Sequence, residues 1–405
     1  METRTAARRV AIGTVAVGAV GFVVLAVLRV PWDGLSSPVP ASSVFSPADI
    51  ERAEHYARWG RVWSLVRARG LPARGLLAGL RPPRAGVGRA GARLVVGPDR
   101  RRGRRADGGR PGGHPAVRVR PAAPGARRGR RDRQAGARGR STWSRARLIT
   151  IVSTSLAVVV LVGCARRWPR AWPAVAGALG AGLVVAGSFV YPLLIEPVFN
   201  SFEPLPDGPL RTEVLDLAHA EGVQVDDVLV ADASRRTTAL NAYVSGFGGT
   251  RRVVLYDTLV DGTPREEVLS VVAHELAHAK YDDVVTGTAL GAAGALAGIG
   301  LLGLLVPLGE RRGREAVPRV PAVLALAALA TVLSAPLQNS VSRQIENRAD
   351  QTALEQTRDP QAFVALQRRL ALRSHADPTP PAWSQFWFGS HPTVLQRIGL
   401  ARAQN

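Results

Sequence analysis

The chain has 405 residues, enough for two or three domains with a sizeable core. It carries 53 Lys+Arg against 31 Asp+Glu, a net charge of +22, and one cysteine, Cys164. A lone cysteine excludes an intramolecular disulfide framework and any cysteine-rich zinc module. The basicity is local. Residues 67–147 hold 24 Arg and only three acids (Asp99, Asp107, Asp132), a net of +21, so the remainder carries +1. A nucleic-acid partner, the usual reading of such a charge, is therefore not expected for the protein as a whole. Lys280 is the only lysine, and the Arg, Ala, Gly, Val and Pro bias is what a GC-rich genome encodes.

Residues 1–66 form an N-terminal anchor region. Its run at 10–28 is 19 uncharged residues, the length that crosses a hydrocarbon core of ~30 Å as a helix. A signal-peptide core is about 7–15 residues, so an anchor fits better than a cleaved leader. Residues 67–147 are Arg/Gly/Pro/Ala sequence without periodicity, which cannot bury a core. Residues 148–205 hold a pair of spans, 148–164 and 171–195, joined by the basic turn Arg166 to Arg170. The region 206–405 contains two more, 284–309 and 320–337. Five such runs predict a mainly α, multi-pass membrane helical bundle, with the lipid bilayer as a partner.

The polar part of 206–405 reads as a helix at Leu210–Glu221, a short apolar run at Val228–Val230, and strands at Thr237–Ser245 and Arg252–Leu259. Gly246, Gly248 and Gly249 supply the turn between the strands. Thr263-Pro264-Arg265-Glu266 predicts a helix start, with Thr263 as cap, Pro264 in first position and Glu266 closing a capping box.

That helix carries His274-Glu275-Leu276-Ala277-His278. Histidines at i and i+4 project from one face, and two neutral imidazoles so placed can bind one zinc ion. Glu275 follows the first ligand and can act as general base, taking a proton from metal-bound water and returning it to the leaving amine. The pattern alone is only moderately specific, because two histidines also occur on solvated helix faces. A zinc hydrolase needs a third protein ligand and an open position for water. The candidate is Glu346, with Asp350 one turn on as hydrogen-bonding support for a ligating histidine. Two spans separate His278 from Glu346, and two crossings return the chain to the same side.

The HELAH segment, two spans, and then Ser342-Arg343-Gln344-Ile345-Glu346-Asn347-Arg348-Ala349-Asp350 resemble the type I CAAX prenyl endopeptidases, integral-membrane zinc metalloproteases. Leu240-Asn241-Ala242-Tyr243 and the late Ser390-His391-Pro392-Thr393 with Arg397-Ile398 resemble further elements of that family. The resemblance covers 171–405 closely and 1–66 more loosely. It implies a gluzincin-like domain with a small β element and one Zn2+ per chain on His274, His278 and Glu346. It implies Glu275, Asp350 and His391 as catalytic residues, with His391 stabilising the oxyanion. Asn241, Ala242 and Tyr243 would lie on an edge strand along which an extended peptide pairs, and Arg343 and Arg397 would join them in binding substrate. The function implied is endopeptidase cleavage of peptide or membrane-protein substrates; the alternative is a catalytically impaired or non-catalytic membrane protein whose basic segment binds anionic lipid or nucleic acid.

The resembled family has seven spans, two of which would fall within 67–147. That segment is either a genuine basic tail or a frameshifted translation of a GC-rich gene. Losing two spans from seven keeps the parity. The Arg-bearing segments at 1–9, 166–170 and 311–319 lie opposite the catalytic region, which by the positive-inside rule puts catalysis outside the cytoplasm. The resemblance implies a cytoplasmic catalytic face at the cell membrane. The expectation follows the resemblance, because two spans' worth of flanking charge is missing from the count.

Overall fold

The computed structural model describes residues 2–62, 148–190, 200–306 and 319–404. The Arg-rich segment at 67–147 lies outside the described residues, as do the end of the span at 171–195 and most of the loop after 306. In chain order the helices are α1 (Glu2–Arg29), α2 (47–62), α3 (Leu148–Arg167), α4 (Trp172–Val190), α5 (Pro209–Ala220), α6 (Arg265–Lys280), α7 (Asp283–Leu305), α8 (Val320–Thr357), α9 (Pro360–Ser374), α10 (Ala382–Phe388) and α11 (Val394–Arg402). Four strands accompany them: β1 (Phe202–Pro204), β2 (Asp227–Ala231), β3 (Ala242–Ser245) and β4 (Arg252–Tyr256).

Five of these helices, α1, α3, α4, α7 and α8, are long and apolar enough to cross a membrane. Their outward faces keep large apolar side chains exposed, among them Val20 and Val27 on α1, Ile151 and Val159 on α3, and Leu333 and Leu337 on α8. A bilayer is the solvent that such a surface requires. Between the helices small residues set the spacing. A Cβ on Gly18 would collide with the α7 backbone at Ala293 and Ala297, and one on Gly300 would stand 2.8 Å from the Val15 nitrogen. Close backbone approach of this kind is how apolar helices associate in lipid, where burial of apolar area gives no net drive. Thr288 Oγ1 donates to Ser188 Oγ at 2.7 Å and links α7 to α4.

The sheet has the order β1-β2-β4-β3, with β2 parallel to β4 and the outer pairs antiparallel. Helices α5 and α6 cover one face. Val214 and Ala218 of α5, Val228 of β2, Val253 and Leu255 of β4, and Val268, Val272 and Leu276 of α6 form one buried cluster. The α6 positions recur every four residues, so one stripe of the helix faces the sheet and the neighbouring stripe is free to carry histidines. Truncating a side chain as buried as Leu276 costs about 2–5 kcal/mol.

Local expectations need correction at three places. The strand at Thr237–Ser245 begins only at Ala242, because Thr237 N donates to Ala233 O and Thr258 Oγ1 donates to Ala239 O at 2.6 Å. The strand at Arg252–Leu259 ends at Tyr256, where Asp257 turns to accept from the Ser234 and Thr258 amides and opens a helical turn. Helix α6 starts at Arg265 with Pro264 in the cap position, and no side chain caps it. The extended Pro264 shifts the start by one residue, and the Thr263 hydroxyl is buried without a partner.

The spanning helices and the sheet region are joined at several points. Helix α8 runs unbroken for 38 residues from the apolar stretch to the histidine helix. The strap after α1 crosses the same region: Asn347 Nδ2 donates to Gly34 O at 3.2 Å, and Val39 N to Leu395 O at 3.2 Å. Arg369 grips buried Glu267 of α6 through two bonds, of 2.7 and 2.9 Å, and holds α9 against the histidine helix.

Candidate metal centre

Helix α6 places His274 and His278 one turn apart, with ring centroids 4.8 Å apart and planes at 88°. Their Nε2 atoms face each other at 3.2 Å. Helix α8 delivers Glu346 to the same point, with Oε2 3.2 Å from His274 Nε2 and Oε1 3.9 Å from His278 Nε2. One donor atom from each of the three residues lies within 4.8 Å of the others.

The far side of each imidazole is held by a carboxylate. His274 Nδ1 lies 3.0 Å from Asp350 Oδ1, close enough for an ionic contact although off the line of a hydrogen bond. His278 Nδ1 meets Asp283 Oδ2 at 2.9 Å. These contacts favour the proton on Nδ1 and leave each Nε2 lone pair facing inward. Two inward lone pairs and a buried carboxylate oxygen without a hydrogen bond, Glu346 Oε2, form a donor set with no acid among them. A divalent cation fits that set. Without one, a proton serves instead: burial works against charge on His274, but Asp350 and Glu346 outweigh it and hold the imidazole up at about 10.

Glu275 sits beside the cluster on α6. Burial pushes its carboxyl above the ordinary value, while the charges of His274 and His278 draw it back down. His391, on the loop between α10 and α11, points Nε2 at Glu346 Oε1 from 3.3 Å, and its Nδ1 contacts Ser390 Oγ at 2.9 Å. It is the exposed member of the cluster, so it borders the space where a substrate could enter. Strand β3, which contains Ala242 and Tyr243, is an edge of the sheet, and Asn241 O accepts from Tyr256 N just before it.

The two arginines expected to bind substrate have internal partners. Arg397 Nε donates to Asp350 Oδ2 at 2.7 Å, and its Nη2 makes a second, shorter contact to Oδ1. Asp350 is fully buried, so this guanidinium is what offsets its charge beside His274. Arg343 donates to the carbonyls of Gly389 at 2.7 Å and Gln385 at 3.3 Å, and to Ser340 Oγ. Both guanidinium groups fasten the loop and helices around His391.

Sequence reasoning missed Asp283. It follows His278 by five residues, across Asp282, whose φ of +52° breaks the helix and turns the chain back. Asp and Asn tolerate that left-handed backbone better than most residues. Arg348 Nη2 holds the other Asp283 oxygen at 2.5 Å and lays its guanidinium 4.1 Å over the Tyr281 ring. The available signal was an acid shortly after the second histidine, at the start of an apolar run.

Comparison with known proteins agrees with this geometry. Residues 204–404 match the profile described as Peptidase family M48. Over these residues the chain is similar to peptidase family M48. The "Uncharacterized metalloprotease YhfN" of Bacillus subtilis is 29% identical over 258 residues, 62% of this chain and 61% of the relative. The "CAAX prenyl protease 1 homolog" of Oryza sativa is 34% identical over 219 residues, covering 52% of this chain and 51% of the relative. The "CAAX prenyl protease 1" of Saccharomyces cerevisiae is 39% identical over 97 residues, 24% of this chain and 21% of the relative. The chain thus spans about three fifths or less of the length of these relatives. Among solved structures, "Crystal Structure of S. mikatae Ste24p" has a TM-score of 0.57 at 20% identity, over 64% of this chain and 65% of that one, and shares the fold. These matches bear out the resemblance to the type I CAAX prenyl endopeptidases, and the five long apolar helices fit its multi-pass architecture.

Proposed function

We propose that the protein is a membrane-embedded zinc endopeptidase, with His274, His278 and Glu346 as the ligands of one Zn2+. The observation that carries this reading is the convergence of three donor atoms from two helices, each histidine backed by a buried carboxylate. Zinc bound there supplies a Lewis acid that polarises a peptide carbonyl and acidifies a water. Asp350 and Asp283 keep the histidines oriented and in the tautomer with Nε2 free.

The remaining steps belong to side chains of the protein. Glu275 accepts the proton of the attacking water and passes it to the leaving amine. Its raised affinity for a proton, caused by burial, suits a group that must hold one between the two steps. His391 Nε2 donates to the oxyanion from the open side. An extended peptide adds along the outer edge of the sheet at β3, by Asn241–Tyr243, which presents its carbonyl across α6. Arg397 and Arg343 are positioning residues in this scheme: the first holds Asp350, the second holds the loop that carries His391.

The substrates proposed are peptide or membrane-protein segments presented at the bilayer surface, with the catalytic face in the cytoplasm. C-terminal CAAX peptides, indicated by the names of the relatives, are the first class to assay. The test is metal content and peptide hydrolysis on purified variants. Glu346→Ala should lose zinc and activity together, whereas Glu275→Gln should keep zinc and lose turnover. Equal zinc in wild type and Glu346→Ala would overturn the ligand set.

A further inference from the structure

Helix α10, Ala382–Phe388, has no charged residue and exposes three of its four aromatic side chains. Trp383, Phe386 and Phe388 are 45%, 50% and 46% exposed. Exposed aromatics this dense on seven residues call for a partner. The hydrogen bonds of α10 indicate which one. Asn339 Nδ2 donates to Trp387 O at 2.8 Å, and Arg343 Nη1 donates to Gln385 O and Gly389 O.

Asn339 and Arg343 are two and six residues beyond Leu337, where the apolar run of α8 ends. At 1.5 Å per residue, α10 is therefore fastened about 3–9 Å past the hydrocarbon edge. Each headgroup layer is about 5–8 Å thick, so this is its depth. The side is right as well. Leu333, Pro336, Ser340 and Arg343 succeed one another every three or four residues, so α10 is fastened to the stripe of α8 that carries exposed Leu333 and, nearer α10, buried Pro336. Trp and Phe at this level match the chemistry of the membrane–water boundary, where an apolar ring is buried and an indole N–H stays wet.

We propose that α10 is an interfacial anchor: Trp383, Phe386 and Phe388 enter the headgroup region of the bilayer and hold the following loop, with His391, at a fixed height above the membrane. The coupling to that loop is direct, since Gln385 Nε2 donates to His391 O at 2.7 Å. The occupant is lipid. The inference uses the membrane helices and the position of His391, and holds whether or not the zinc assignment does.

The test is depth measurement on the full chain in phosphatidylcholine vesicles. In a Cys164→Ser background, single nitroxide labels are placed at Phe386→Cys and, separately, at Phe388→Cys. Leu333→Cys serves as the bilayer reference and Glu266→Cys as the water reference. Collision with oxygen and with a water-soluble nickel chelate gives the depth of each. Both α10 labels should fall within about 5 Å of the phosphate plane, between the two references. A profile equal to the Glu266 label would overturn the proposal. So would α10 labels that become shielded only when a peptide inhibitor is added, because α10 would then be a wall of the substrate cleft. If one label perturbs folding, judged by loss of the cooperative thermal transition, the other decides.

Discussion

His278 and Asp283 form a 2.9 Å contact that ties the metal centre to the membrane, because Asp283 is the first residue of the spanning helix α7. The carboxylate has two tasks: one oxygen orients the imidazole, the other holds Arg348 of α8. All three helices that build the centre therefore meet at one residue at the membrane boundary. Asp283→Asn should weaken zinc binding by about 10–100-fold, as is typical when the partner of a ligating histidine is lost. Arg348→Gln leaves the His278 contact in place and should weaken it far less. Competition with a fluorescent chelator measures both, and equal effects would move Asp283 to a general structural role.

Zinc binding should be strongly proton-linked. In the metal-free protein His274 is held up at about 10, mainly by Asp350 and Glu346 against the opposing effect of burial. The ligand must be neutral, so loading at neutral pH displaces a proton from it. The apparent affinity should rise about tenfold per pH unit below about 10, and calorimetry in buffers of different ionisation enthalpy should count a proton released per zinc. Affinity flat between pH 6 and 8 would mean that Asp350 and Glu346 do not hold His274 protonated in the metal-free protein. Removal of the metal by chelation should abolish hydrolysis, and added Zn2+ should restore it.

His391→Ala tests the oxyanion role. Loss of one such donor costs about 10²–10³ in turnover. The side chain touches Glu346 from the exposed side but belongs to neither histidine pair, so zinc content should stay at the wild-type value. An effect confined to KM would make His391 a binding residue.

Much of this centre was readable in the sequence, for identifiable reasons. Ligands on one helix are fixed by its 3.6-residue repeat, which is why His274, Glu275 and His278 could be placed from spacing alone. Glu346 and Asp350 followed from the same repeat, with the parity of two spans bringing them back. Partners brought together by tertiary structure were less legible. Arg397 reaches Asp350 across 47 positions, and no spacing in the sequence announces that pair. Strand β1 is three residues long, contains Pro204, and exists through its pairing with β2. The aromatic helix α10 has meaning only once its height on α8 is known.

Glu221 predicts a stability effect outside the centre. It ends α5, is buried, and neither carboxylate oxygen has a hydrogen-bond partner. Burial raises its pKa to about 8, while Lys280 and His274 pull the other way. The folded state thus keeps a proton that the unfolded chain gives up near the ordinary carboxyl value of 4.5. Linkage fixes the sign: the folded state binds more protons, so stability is fully present below about 4.5 and declines as pH rises through about 8, by up to ~1.4 kcal/mol per pH unit. Glu221→Gln cannot ionise and fits the same space. It should unfold at the wild-type temperature in acid and several degrees higher at pH 8 and above. A constant difference across this range would mean that charge at Glu221 is not what limits alkaline stability.

The last prediction concerns the reading frame. Residues 67–147 carry +21 in a chain otherwise at +1, and apolar periodicity stops near Val66 and resumes near Ser141. The described spanning helices number five, and the resembled family has seven. If a shift in a GC-rich gene produced the Arg/Gly/Pro run, translation of the codons between Val66 and Ser141 in one of the other two frames should give two apolar runs of about 20 residues each. Resequencing the locus and translating it decides the point. A restored chain should show higher peptidase activity with the same zinc content, because the metal ligands lie on α6 and α8, outside the altered stretch. If neither frame yields such runs, the basic segment is genuine. Binding of the full chain to anionic vesicles should then fall steeply with salt, as attraction between exposed charges is screened over about 10 Å at 0.1 M.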